Sequence, residues 1–195
     1  MARPKEFDES LVLERALETF WAQGYERTSI SDLEATTGLG RQSLYNAFGD
    51  KHSLYLRVLD RYTAEVGDLI ADTLLSPPGG APAIRAYLEA QIAFLTAPAP
   101  TRKSCLVVNA VQEFGGQDPA VRTRCHGSIR SLTSALGHAL RAGVSAGTLP
   151  HDLDIDGTAR MLQAHSYGLA VLAKDGASAA ELRSATDALL RSLSG

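Results

Sequence analysis

The stretch Gly24-Tyr25-Glu26-Arg27-Thr28-Ser29-Ile30-Ser31-Asp32-Leu33, continued by Thr37-Gly38-Leu39-Gly40 and by Arg41-Gln42-Ser43-Leu44-Tyr45-Asn46-Ala47-Phe48-Gly49-Asp50-Lys51, decides the fold of this 195-residue chain. Ser29 and Asp32 have the spacing of a capping box, in which a hydroxyl and a carboxylate each satisfy a free amide at a helix start. The helix that follows turns Ile30 and Leu33 inward and stops at Thr37-Gly38, where glycine suits the left-handed backbone of a sharp turn. A second short helix, Arg41 to Phe48, buries Leu44 and Phe48 and projects Gln42, Ser43, Tyr45 and Asn46 outward. Upstream, Leu13, Ala16, Leu17, Phe20 and Trp21 share one helical face. Two short helices joined by a glycine turn and packed on an amphipathic helix describe a helix-turn-helix, whose second helix enters a major groove N-terminus first.

The outward residues suit that task. Arg41 can offer a two-pronged donor to guanine, and Gln42 or Asn46 can pair with adenine. Thr28, Tyr45 and Lys51 are of the types that contact phosphates and set docking register, with Ser43 beside them. Arg3 and Lys5, on an arm stiffened by Pro4, are placed for an adjacent phosphate or minor groove. Up to Lys51, however, acids outnumber bases, so the basic footprint is weak. The distribution resolves this: most acids fall in the first helix and its approach, away from Arg41 and Lys51.

Beyond Asp50, a good N-cap, the pattern stays helical. Leu54, Val58, Tyr62, Val66 and Leu69 form a ladder; Ile155, Ala159, Leu162, Leu169 and Ala170 mark another helix, and Leu182, Leu189 and Leu193 the last. Breaker clusters at Pro77–Pro82, Ala97–Pro100, Gly115–Pro119, Gly147–Pro150 and Asp175-Gly176 separate these segments. The expectation is an all-α fold of about nine helices. It divides into a helix-turn-helix domain at 1–50 and a second helical domain at 51–195.

Composition sets outer bounds. Apolar residues make up 45%, charged residues 21%, and the net charge is −3, all ordinary for a globular protein. No signal-peptide pattern and no apolar run long enough to span a membrane are present, which places the chain in the cytoplasm. Cys105 and Cys125 are too few and too unpatterned for a disulfide framework or a zinc site, and Cys125-His126 reads as structural. No cofactor motif and no cysteine-enzyme motif are recognisable, so the chain is not read as an enzyme. The alternative is a helical adaptor that binds protein and has no role on DNA.

Several residues of the second half are candidates for a sensing role. Cys105 follows Arg102 and Lys103 at a helix start, where cations and amides favour thiolate; the bland reading is a small buried hydrophobe. Asn109, Gln112 and Tyr167, with Gln163, are polar groups in apolar helices that either line a pocket or are satisfied elsewhere. Small residues Ala164, Gly168 and Ala170, with His165, favour a close helix interface.

The run from Gly24 to Lys51 resembles the DNA-binding domain of the TetR/AcrR repressors, with Asn46-Ala47 where that family often has His. The resemblance implies a homodimer on a palindromic double-stranded operator, built on a four-helix interface from the last two long helices, here 154–173 and 178–193 with Leu162 and Leu189 at the seam. It also implies a pocket for a small-molecule effector among the middle helices. Lys103-Ser104-Cys105-Leu106-Val107-Val108-Asn109 is similar to the Gly-Cys-Leu-x-x-Asn motif of a branch that includes cysteine-based electrophile, hypohalite and metal sensors, with Ser104 in place of the glycine. The function implied is a ligand- or electrophile-responsive repressor.

Overall fold

The computed structural model describes residues 7–98 and 104–193, so Arg3, Lys5, Arg102 and Lys103 lie outside it. Asp8 opens α1 (Glu9–Gln23) by accepting from the amides of Ser10 and Leu11 at 2.8 and 3.3 Å. The helix buries Val12, Leu13, Ala16, Leu17, Phe20 and Trp21. Two short helices follow, α2 (Ile30–Thr37) and α3 (Arg41–Phe48). Asp50 then caps α4 (Lys51–Leu74), its carboxylate accepting from Ser53 N at 2.7 Å.

α4 serves both halves of the chain. Near its start Tyr55 stands edge-on to Phe20 of α1 at 5.0 Å, and its far end buries Ile70 and Leu74 in the helical body. That body is α5 (Gly80–Thr96), α6 (Leu106–Phe114), α7 (Pro119–Ser145), α8 (Ile155–Asp175) and α9 (Ala179–Ser192), which completes nine helices and no strand among the described residues. The breaker clusters fall in the joints, and Asp118 and Pro119 start α7 as a side-chain cap followed by a residue with no amide to satisfy. α7 is the hub, packing on α4, α5, α6 and α8, while α9 packs on α5 and α8. Among the described residues no helix is long and apolar enough to cross a membrane.

Two expectations for α8 change. Leu162 is fully buried within this chain rather than on an outer face. His165 reaches Thr186 Oγ1 of α9 at 3.1 Å, so it joins two helices of the same chain. The outward face of α8 instead carries Met161, Val171 and Leu172, all large, apolar and exposed.

Candidate DNA-reading surface and ligand cavity

The reading surface is assembled by short-range hydrogen bonds. The capping box forms as its spacing demands: Ser29 Oγ accepts from Asp32 N at 3.1 Å and the Asp32 carboxylate accepts from Ser29 N at 2.8 Å. The Ser29 hydroxyl, donating to the Asp32 carboxylate at 2.6 Å, and then the Ser29 amide hold that carboxyl below its usual range. Gly38 ends α2 in the left-handed region at φ 76°, where a side chain would strain the turn. Arg15 of α1 donates to the Thr37 carbonyl at 3.3 Å, and the Thr19 and Thr36 hydroxyls meet at 2.8 Å, which locks α2 on α1.

α3 has no side-chain cap of its own, since Gly40 precedes it. Glu34 supplies one from α2, its carboxylate accepting from Arg41 N at 2.6 Å. An acid therefore does sit beside the reading helix, contrary to the separation of charges expected from sequence. The Arg41 guanidinium stays mostly exposed, 3.9 Å from the same carboxylate. Gln42 Nε2 donates to Asn46 Oδ1 at 2.9 Å, one turn away. The bond leaves Gln42 Oε1 and Asn46 Nδ2 directed to solvent as an acceptor and a donor, the pair an adenine edge requires. Ser43 and Tyr45 are exposed on the same helix.

Two expected phosphate contacts take other roles. Thr28 is buried, and its hydroxyl donates to the Gly24 carbonyl at 2.6 Å. Lys51 Nζ donates to the carbonyls of Tyr25 and Thr28, each at 3.0 Å, and lies 4.2 Å above the Tyr25 ring. The ammonium gathers two carbonyls of the α1–α2 turn, of which the Tyr25 carbonyl also accepts from Thr28 N at 3.2 Å. Both side chains hold the turn and do not reach outward.

The second half encloses a cavity of about 300 Å³ between α4, α5, α6, α7 and α8. Tyr62, Tyr87, Phe94 and Tyr167 supply its aromatic wall, with Cys105 at its edge. Of the residues nominated from sequence, Cys105 and Tyr167 line this space. Asn109 and Gln112 do not; they border a shallow groove on another side of α6 with Ser104 and Lys174. At 100° per residue, positions 109 and 112 stand about 200° and 140° around the helix from the cavity-lining Val107. Asn109 Oδ1 accepts from Ser104 Oγ at 3.4 Å, and among the described residues its buried Nδ2 has no partner.

Cys105 departs from the expected activation. It is the N-cap residue of α6 and is buried. Burial pushes its thiol up, against the opposing pull of the Val108 and Val107 amides and the Tyr62 hydroxyl. Cys125, on α7, is also buried, and its thiol is pushed up to about 11.

The cavity and the reading head share a joint that sequence reasoning missed. α6, whose first turn walls the cavity, ends in Glu113, which accepts from Tyr25 N at 2.7 Å. Gly24 sits here at φ 80°, a conformation that strains any L side chain, and a Cβ would push the Glu113 carboxylate aside. Phe114 packs on Tyr25 at 4.9 Å and Tyr55 at 5.5 Å, and His52 Nε2 meets Asp118 Oδ2 at 2.6 Å. On the opposite side Trp21 of α1 stands edge-on to Tyr62 and Phe94, each at 5.9 Å. None of these pairs has a local sequence signature, because the partners are tens of residues apart.

A helix-turn-helix head with an exposed second helix, joined to a cavity-bearing helical body, defines a DNA-binding regulator. The first half matches the model described as bacterial regulatory proteins, tetR family, at residues 12–58. Residues 80–189 match the tetracyclin repressor-like C-terminal domain. The chain is 34% identical over 175 residues to the uncharacterized HTH-type transcriptional regulator YezE of Bacillus subtilis, covering 89% of this chain and 90% of that one. It is 27% identical over 189 residues to the HTH-type transcriptional repressor ComR of Escherichia coli, covering 97% and 90%. A cysteine mutant of the TetR family regulator CifR, complexed with 26 bp double-strand operator DNA, superposes with a TM-score of 0.87 at 28% identity, covering 98% of this chain and 100% of that one. The chain belongs to the TetR family and is a DNA-binding transcriptional regulator.

Proposed function

We propose that this regulator is a cytoplasmic repressor that binds a palindromic operator as a homodimer and releases it when a small molecule occupies the α4–α8 cavity. The observation that carries this reading is α6 itself: Cys105 and Val107 at its start border the cavity, and Glu113 at its end holds the turn of the reading head. Residues 1–50 read DNA and 51–195 sense and dimerise. Arg41, Gln42 and Asn46 meet base edges, Ser43 and Tyr45 meet the backbone, and Thr28 and Lys51 hold the turn in place. The dimer forms through α8 and α9, with Met161, Val171 and Leu172 covered by a second copy. Tyr167 anchors the effector, and Cys105 is a thiol within its reach; Asn109 and Gln112 act outside the cavity. An effector shifts the equilibrium only through unequal affinity for two spacings of the heads.

Selection from a random duplex library tests the DNA part, with a symmetric pair of half-sites as the expected result. Enrichment of no symmetric site, or a stable monomer by light scattering at micromolar concentration, overturns it.

A further inference from the structure

Among the described residues the cavity wall is almost free of charge. At about 300 Å³ it has room for roughly a dozen non-hydrogen atoms at interior packing density. Its single charged lining residue among the described residues, Glu65, is exposed at the edge and takes Arg61 Nε at 2.9 Å. Among the described residues no Lys, Arg or His lines it. The remaining titratable groups stay neutral: burial pushes the Cys105 thiol up, the Tyr87 phenol to about 12, and the Tyr62 and Tyr167 phenols up as well. A carboxylate or phosphate entering here would lose its water without gaining a counter-charge, and an ammonium would find only a carboxylate that is already paired.

The hydrogen-bonding groups narrow the choice. Gln91 is closed on α8, with Nε2 donating to the Ser166 carbonyl and Oε1 accepting from Ser166 Oγ, each at 3.0 Å. The Tyr62 hydroxyl lies close enough to Cys105 and the Leu106 amide for them to influence its charge, and Tyr167 close enough to Gln163. Tyr87 is left short. Its buried hydroxyl is 3.5 Å from Ser166 Oγ, well beyond the usual O–H···O distance of about 2.7–2.8 Å. A buried donor in an aromatic wall asks for an acceptor.

We propose that the cavity takes an uncharged, flat aromatic molecule of about a dozen non-hydrogen atoms, with one acceptor oxygen that receives the Tyr87 hydroxyl. This rests on the cavity being the effector site, and the experiment separates the two ideas. Four naphthalenes of matched size serve as probes: a methyl ketone, a carboxylate, a methylammonium and an ethyl hydrocarbon. Each is titrated into the full-length protein by calorimetry near neutral pH. Emission of Trp21, the single tryptophan, gives a second readout, because its ring touches two cavity walls.

The ketone should bind tightest, about tenfold or more above either ion. Tyr87→Phe should lower its affinity about fivefold and leave the hydrocarbon unchanged. Ala90→Leu, which narrows the cavity, should weaken every probe. An ion that binds as well as the ketone, or a ketone indifferent to Tyr87→Phe, overturns the proposed ligand class while the effector site stands. Binding of no probe, or binding indifferent to Ala90→Leu, overturns the effector site and this inference with it.

Discussion

In the reading head, Ser29 meets Asp32 three residues away, Gln42 meets Asn46 four away, and Glu34 meets the Arg41 amide seven away. In the cavity, Tyr62, Tyr87, Cys105 and Tyr167 come from four regions of the chain and are brought together only by helix packing. The head is specified by bonds that a short window of sequence contains. The cavity is specified by which faces of long helices meet, and a one-position rotation of any helix would change its lining. Local specification makes a surface rigid and repeatable, and distributed specification leaves the lining free to vary while the helices stay put.

The sharpest way to break that contrast is at α8, where one position faces the core and its neighbour faces outward. Leu162→Glu places an unpaired carboxylate in a fully buried site, and stability should fall by about 4 kcal/mol or more. Met161→Glu, one residue earlier and exposed, should change monomer stability by less than about 0.5 kcal/mol and weaken self-association. Urea denaturation and light scattering distinguish them. A Leu162→Glu protein that stays folded but monomeric would return that residue to the dimer seam.

A second effect lies in the head. Arg41→Ala and Gln42→Ala should each weaken the selected operator by about 5- to 150-fold, corresponding to about 1–3 kcal/mol, and relax one base position. Gln42→Ala also frees the Asn46 carboxamide to rotate, so the base preference at its contact should blur as well. Mobility shifts on single-base operator variants measure both. A uniform loss across all variants would move these residues from base edges to phosphates.

Legibility in the sequence follows the same division. Nine helices, their caps and the outward set on α3 were readable because caps, glycine turns and 3.6-residue periodicity are local signals. The intrachain partners of Thr28 and Lys51 were not legible, because residue type alone does not say where a hydroxyl or ammonium points; both donate to turn carbonyls. Asn109 and Gln112 drew notice as polar residues on an apolar helix, yet polarity does not give the side of α6 on which they stand. Gln91, Ser166, Tyr62 and Tyr87 passed unnoticed as ordinary positions in helical ladders. The second capping box, Ser178 with Glu181, was as legible as the first and simply lay outside the functional motif.

The joint between the two regions gives a third, smaller effect. Glu113→Gln keeps the shape of the side chain but removes the charge from its bond to Tyr25 N. Operator affinity without effector should change by less than about threefold, while the effector's influence on it should drop about fivefold, or roughly 1 kcal/mol of coupling. Fluorescence anisotropy of labelled operator, with and without effector, reads both numbers. A loss of operator affinity with unchanged effector influence would make Glu113 part of the head's own scaffold.

The smallest effect concerns the thiol at the cavity edge, where opposing influences meet. Burial raises the Cys105 pKa, while the Val107 and Val108 amides and the Tyr62 hydroxyl pull it down, and burial prevails. The neutral thiol is the form the fold favours, so its contribution to stability is present at neutral and acid pH and is lost as pH rises through the raised value. Thiolate is the reactive species, and at neutral pH it is a minor fraction. On a Cys125→Ser background, alkylation of Cys105 should therefore be slow near neutrality and keep accelerating at alkaline pH where an exposed thiol has levelled off. Tyr62→Phe removes one donor to the sulfur, raises the pKa further and should slow alkylation near neutral pH by a few-fold, roughly the net weight of one ordinary hydrogen bond. Faster alkylation in Tyr62→Phe would mean that access through the aromatic wall limits the reaction, and the phenol would then act as a door to the sulfur. Rapid alkylation of the unaltered protein near neutral pH would mean that the sulfur spends time in a more exposed setting.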